Sequence, residues 1–303
     1  MALDMTWMDT IPHLGQAGRV DEGRALGSRD GISFVETSGG RVRIRRAGSP
    51  AGVPLLMGAD GPNVIEHYDA LLSTLGDDAD VVVFEPPGTG ASSPARGFDF
   101  SIEGFVKSAI EVLEAVGPRT LVFPCYLGLV GQEVARRRPE LVHRLVMPQT
   151  PCWKDFLVWA DVVDPKRILR TPVLGQLLLA FRRRDVAATW YAMSTSDKRF
   201  RAPFAAATNE AFAFGGCFCL ASTMQSYARG PEPVSTALSM PTAIVWGPRD
   251  RTHRASDPER SVPGAEVVTM PECGHSPELE DPEGFTRWLL SWHEDHVVPE
   301  RRA

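Results

Sequence analysis

The chain predicts an α/β domain with a mostly parallel sheet covered by helices on both faces. Three observations carry this. Short apolar runs alternate with helical segments from Gly31 to the C-terminal helix. The helices carry recognisable start and stop signals. The one stretch that breaks the alternation, residues 149–239, lies between two of the apolar runs and not at an end.

In chain order, residues 1–30 lack a sustained apolar period and contain Gly15, Gly18, Gly23 and Gly27, so they read as a loose N-terminal arm. Ile32–Thr37 and Arg41–Arg46 flank Ser38-Gly39-Gly40, which predicts a hairpin. The parallel strands are expected at Val53–Met57, Asp80–Phe84, Thr120–Phe123, Leu145–Met147, Pro241–Trp246 and Ala265–Met270. Ser101 is a good N-cap for a helix over Ile102–Val116, and Gly117-Pro118 stops it. Asp281-Pro282 opens the last helix with a cap and a proline at its first position. In that helix Phe285, Trp288, Leu289 and Trp292 fall on one face. Residues 149–239 are rich in aromatics and helix formers and too long for a bare loop, which predicts a helical cap. The expected division is thus an arm (1–30), a core (31–148 and 240–303) and a cap (149–239).

Composition narrows the function. The 303 residues are 43% hydrophobic, enough for a sizeable core, and the formal charge of -6 argues against nucleic acid as a partner. No apolar run reaches the roughly 18 residues of a membrane-spanning helix, and the first residues lack a secretory signal pattern, so no membrane partner is expected. The five cysteines are odd in number and match no zinc spacing. Cys217 and Cys219 are separated by one residue, too close for an unstrained bridge, so reduced thiols and a cytoplasmic location are expected. No Gly-rich phosphate loop follows a strand. The expected ligand is a small molecule, with no cofactor and no metal.

Six segments carry the chemistry. They are Val53-Pro54-Leu55-Leu56-Met57-Gly58, Glu85-Pro86-Pro87-Gly88-Thr89-Gly90-Ala91-Ser92, Leu121-Val122-Phe123-Pro124-Cys125-Tyr126-Leu127-Gly128, Ala135-Arg136-Arg137-Arg138-Pro139-Glu140, Ile244-Val245-Trp246-Gly247-Pro248-Arg249-Asp250, and Cys273-Gly274-His275-Ser276-Pro277 running on to Pro282. In sequence and order they resemble the oxyanion strand, the turn after strand four, the nucleophile elbow, the helix end behind it, the acid turn and the histidine loop of the α/β-hydrolase superfamily. The resemblance runs from Ile32 to about His293. It is nearest to the capped branch containing haloalkane dehalogenases, epoxide hydrolases and proline iminopeptidase-like proteins.

That resemblance implies a triad of Cys125, His275 and Asp250, with the backbone N–H groups of Ala59 and Tyr126 as oxyanion donors. Met57, Phe123, Trp153 and Phe156 would line the substrate pocket. A cysteine suits the elbow, because a helix N-terminus and a neighbouring imidazolium both favour the thiolate. The geometry expected is a Cys125 sulfur roughly 3–4 Å from a His275 ring nitrogen. The other reading of Cys125 is a small buried hydrophobe. The remaining histidines, His253 among them, have no motif and read as structural or surface groups.

Four positions depart from the family pattern. Phe123 and Leu127 fill both glycine places of the elbow, Met57 replaces the common histidine of the oxyanion strand, and Glu85 replaces aspartate. Filling the glycine places crowds a strained turn. Dehalogenase and epoxide-hydrolase chemistry both need aspartate at the nucleophile position, and are set aside. Two enzyme readings stand. One is a cysteine hydrolase or acyltransferase acting on an ester, thioester, lactone or amide of a small, largely apolar substrate. The other is a lyase, isomerase or cyclase using His275–Asp250 as an acid–base pair. A non-catalytic binding protein is the third.

Overall fold

The computed structural model describes residues 30–213 and 219–296. The arm expected at 1–30 falls, except for its last residue, outside the described residues, as do Cys217 and the end of the chain. The strands are β1 (Ile32–Thr37), β2 (Gly40–Gly48), β3 (Val53–Gly58), β4 (Ala79–Phe84), β5 (Ser93–Pro94), β6 (Arg119–Val122), β7 (Val142–Pro148), β8 (Thr242–Trp246) and β9 (Glu266–Thr269). They form one sheet in the order β1-β2-β4-β3-β6-β7-β8-β9, with the short β5 beside β2. The hairpin β1–β2 and the β2–β4 pair are antiparallel, and every pair from β4 to β9 is parallel.

The parallel strands are apolar on both faces because helices cover both. Leu56, Val82, Leu121, Leu145 and Ile244 point into a core shared with α2 (Ile102–Val116) and α3 (Tyr126–Arg137). Their neighbours Leu55, Val81, Val122, Val146 and Val245 point into a second core with α1 (Asp69–Leu75) and the C-terminal helix, Pro282–Asp295. This is the period-two alternation of a strand read out on two buried faces, each large side chain contributing about 1.5–3 kcal/mol. The expected caps form: Ser101 Oγ accepts from the Gly104 N–H at 3.0 Å, and Asp281 from the Gly284 N–H at 2.9 Å.

Between β7 and β8 the chain makes α4 (Trp153–Val163), α5 (Leu174–Ser194), α6 (Lys198–Ala213) and α7 (Cys219–Tyr227). No strand interrupts them among the described residues. After β9 come the one-turn α8 (Pro277–Glu280) and then α9 (Pro282–Asp295). The loops that leave β3, β6, β7 and β8 all emerge at the carboxyl edge of the sheet, the usual place for a site in an open α/β fold.

Candidate active site

Cys125 stands in the turn from β6 into α3 with φ 46° and ψ -122°, backbone that a non-glycine residue occupies only under constraint. The constraint comes from β7. The Cys125 N–H donates to the Pro148 carbonyl at 2.8 Å, and the Thr150 hydroxyl donates to the Cys125 carbonyl at 3.1 Å. The crowding expected from Phe123 and Leu127 is relieved at other glycines. A Cβ on Gly58 would lie 2.7 Å from Leu127 Cδ1, and one on Gly128 would lie 2.1 Å from Thr150 Oγ1. Gly58 makes room for Leu127, and Gly128 for the Thr150 side chain that holds the Cys125 carbonyl.

His275 Nδ1 is 2.6 Å from Asp250 Oδ2, and both side chains are buried. Gln149 Nε2 also donates to Asp250 Oδ2, at 3.2 Å. The N–H and hydroxyl of Thr252 both donate to Asp250 Oδ1, each at 2.7 Å, and Trp159 Nε1 donates to that hydroxyl at 3.1 Å. Burial works against charge on Asp250, but the adjoining imidazole and these donors hold its carboxyl below the usual range. Its four donors fix the acid, which in turn fixes the His275 ring. Trp190 packs edge-on against that ring at 4.9 Å between centroids, and His253 stacks on it at 5.4 Å.

On the other side of the ring lies Asp60, which the sequence reading did not single out. It is 3% exposed, and its Oδ2 is 3.9 Å from His275 Nε2. Its Oδ1 and His275 Nε2 have no hydrogen-bond partner among the described residues. Burial raises the Asp60 carboxyl to about 6, against the pull of His275 and Cys125. Burial also discourages a charged His275, but Asp250, the Cys125 sulfur and Asp60 around it prevail and its pKa stands well above the usual histidine value. Burial and the charge of Asp60 push the Cys125 thiol up to about 12, more than His275 and the Tyr126 amide can offset. Cys125 therefore rests as a thiol. Its Sγ, one His275 nitrogen and one His253 nitrogen lie within 4.8 Å of one another. These three donor atoms are as close as metal ligands need be, but His275 is already oriented by Asp250 and His253 by a 2.9 Å contact with Ser256.

Above Cys125 and Asp60 is a cavity of about 430 Å³, walled mainly by the inserted helices through Phe156, Trp159, Trp190 and Leu220. Of the four pocket residues expected from sequence, only Phe156 lines it. Met57 points to the opposite face of the sheet, among the side chains packed by α1 and α9, because β3 alternates. Phe123 is wedged behind the elbow against Phe84, 5.4 Å between centroids. Trp153 forms a second row, stacked on Phe156. Of the two expected oxyanion amides, Tyr126 faces the Cys125 sulfur. Ala59 does not serve: its N–H donates to the Phe84 carbonyl at 2.8 Å, extending the β3–β4 ladder one residue further than expected. Glu85 is also no site residue. It closes its turn by accepting from the Ala91 and Ile65 amides and pairs with Arg43 at 3.2 Å.

Gln149, Thr252 and His253 complete the list of what sequence reasoning missed. No local motif marks them. Asp60 had a signal: a charged residue in the very loop expected to present an oxyanion amide.

Residues 58–288 match the profile of the alpha/beta hydrolase family. Over 255 residues the chain is 24% identical to RutD of Pseudomonas savastanoi pv. phaseolicola, a protein that carries the name of a carbamate hydrolase; the match covers 80% of this chain and 94% of that one. It is 22% identical over 271 residues to the cis-3-alkyl-4-alkyloxetan-2-one decarboxylase of Shewanella oneidensis, covering 80% of this chain and 81% of the other. Among solved structures, the ligand-free epoxide hydrolase CorEH superposes with a TM-score of 0.73 at 14% identity, covering 87% of this chain and 98% of that one. No helix among the described residues is long and apolar enough to cross a membrane.

Proposed function

The chain belongs to the alpha/beta hydrolase family of enzymes, and on that premise we propose that it cleaves or transfers the acyl group of a small, largely apolar ester, thioester, lactone or amide through Cys125, His275 and Asp250. The observation that carries this reading is the ordered line from Asp250 through His275, 2.6 Å apart, to a strained elbow whose sulfur lies within 4.8 Å of the ring. That bound is compatible with the expected spacing of roughly 3–4 Å.

In the acylation step the Cys125 proton passes to His275 Nε2 as sulfur bonds to the substrate carbonyl carbon. The carbonyl π pair moves to oxygen. The tetrahedral species then collapses, and His275 returns the proton to the leaving group. Because the resting group is a thiol, the proton transfer accompanies attack, as it does for a serine. Asp250 holds the ring and stabilises the imidazolium. The apolar walls of the cavity favour a substrate with alkyl or aryl bulk.

A second reading is favoured by one observation. A thiol pushed up to about 12 beside a buried carboxylate is a poor nucleophile at rest. In that reading the His275–Asp250 pair moves protons in a lyase, isomerase or cyclase step and Cys125 only shapes the floor. The test is Cys125→Ala and Cys125→Ser on p-nitrophenyl butyrate and on a panel of small lactones. The acyl reading expects loss with alanine and a residue of activity with serine. An alanine variant that keeps most of its turnover decides for the second reading.

A further inference from the structure

The oxyanion side of the pocket is built with the wrong charge for an acyl-transfer enzyme, and the geometry indicates how that is resolved. A tetrahedral intermediate needs two donors aimed at the developing O⁻. Tyr126 can supply one. The loop leaving β3 would supply the second from Ala59, but that N–H is taken by the Phe84 carbonyl at 2.8 Å. At the next residue the loop instead offers a side chain. Asp60 lines the cavity beside Cys125, is almost fully buried, and has an Oδ1 with no partner among the described residues. An ionised carboxylate there would repel the intermediate, whereas the neutral acid would donate to it.

We propose that Asp60 supplies, as a neutral carboxylic acid, the hydrogen bond to the substrate carbonyl oxygen that the Ala59 amide cannot give. The proposal rests on the acyl-enzyme reading above.

The proton is already at hand. His275 Nε2 and Asp60 Oδ2 are 3.9 Å apart, and the raised His275 supplies the proton that Asp60 takes up when substrate binds. With that proton on Asp60, His275 Nε2 is free to receive the thiol proton while the acid faces the carbonyl. Sulfur then bonds to carbon, the π pair moves to oxygen, and Asp60 donates to that oxygen without losing its proton. On collapse His275 protonates the leaving group, and the pair returns to its starting state. The acylation balances in atoms and charge, and water or an acceptor nucleophile, deprotonated by His275, then breaks the thioester and frees the sulfur. The loop is held for this: the Tyr68 hydroxyl donates to the Gly58 carbonyl at 2.9 Å, and Asn63 joins Ser276 at 3.3 Å and Tyr191 at 2.9 Å.

Burial favours the neutral form of Asp60, against the pull of His275 and Cys125. The groups that face it are Cys125 just before α3, Tyr126 on α3, Tyr68, Tyr191 on α5, Tyr227 on α7, and His275 and Glu278 at the histidine loop. The four tyrosines and the thiol stay neutral through burial. Burial also raises Glu278 to about 8, so only His275 offers Asp60 a positive charge. A raised carboxyl is protonated below its folded pKa, so free Asp60 ionises as the pH climbs through about 6. A bound acyl group that excludes water and develops negative charge moves that midpoint upward.

The experiment compares wild type, Asp60→Asn and Asp60→Ala. Asparagine keeps the shape and an N–H donor; alanine removes the donor. With p-nitrophenyl butyrate, alanine should cost about 100- to 1000-fold in kcat with KM little changed, and asparagine about tenfold. Butanal, which adds reversibly to the Cys125 thiol to give a thiohemiacetal, should bind in the same order. Infrared difference spectra should show a protonated-carboxyl band that asparagine abolishes, that fades near pH 6 in the free protein, and that persists to higher pH in the butanal adduct. Asparagine as inactive as alanine would make Asp60 a working carboxylate and overturn the proposal. So would alanine indistinguishable from wild type, or an Asp60 band that titrates near the ordinary value of about 4. If Cys125→Ala keeps its turnover, the acyl-enzyme reading fails by itself, and the infrared titration still decides the state of Asp60.

Discussion

The two sides of the His275 ring differ in how fully their polar groups are matched. On the Asp250 side each carboxylate oxygen has two donors, and every distance lies between 2.6 and 3.2 Å. On the Cys125 side the sulfur, the Asp60 carboxyl and His275 Nε2 are buried together, and both Asp60 Oδ1 and Nε2 lack partners among the described residues. A buried, unmatched polar group costs about 1–3 kcal/mol, so the second side is held in an unfavourable state by the folding of the rest. The lesson is a division of labour. One side is rigid and sets the position of the base; the other is left open for a substrate carbonyl to complete.

The comparison breaks first at His275, which belongs to both sides. His275→Ala should lower kcat by about 100- to 10,000-fold, the range of a general acid–base group. A rate near wild type in a folded variant would move the machinery elsewhere.

Gln149→Ala sharpens the comparison on the matched side. It removes one of four donors to Asp250 and leaves the others, so kcat should fall about tenfold, equivalent to about 1.4 kcal/mol for one charged hydrogen bond. A loss as large as that of His275→Ala would mean that the redundancy of the donors is illusory.

These two residues also show what the sequence could and could not reveal. His275 and Asp250 were legible because each lies in a local motif whose turn is encoded within a few residues, and the strands and caps were legible by periodicity. Gln149 has no such mark. It acts because β7 ends with its backbone at φ 47° and aims the amide at Gly247 and Asp250, some hundred residues away in sequence. Thr252 and His253 are likewise assembled only by the fold. Met57 and Phe123 were misread as pocket residues because sequence places a residue on a strand or turn but not on the face that the inserted helices cover. Ala59 was misread for a subtler reason: whether the β3–β4 ladder ends at Gly58 or one residue later is a matter of a single hydrogen bond.

On the unmatched side, Gly128→Ala should destabilise the fold by about 1–3 kcal/mol in denaturant melts, since its Cβ would overlap Thr150 Oγ1. Pairing it with Thr150→Ser, which keeps the hydroxyl that holds Cys125 but removes a methyl, should recover only part of the loss. Full recovery would show that the turn is less constrained than its contacts suggest.

A last expected effect is in the pH dependence of stability. Glu278 is buried, both its oxygens lack partners among the described residues, and burial raises it to about 8. The folded state then holds a proton that the unfolded chain releases near 4.5, so this group lowers stability as pH rises from about 4.5 to 8. Glu278→Gln should remove that slope while leaving the low-pH stability little changed. An unchanged slope would assign it to other groups.

The central claim is that Cys125 becomes acylated with His275 as its base. It is tested most directly by rapid quenching of the wild-type protein with p-nitrophenyl butyrate, followed by intact mass and peptide mapping. The account predicts one butyryl group on the Cys125 peptide, its absence in Cys125→Ala, and its much slower appearance in His275→Ala. Turnover of the ester with no adduct at any time, and equally in Cys125→Ala, would contradict it.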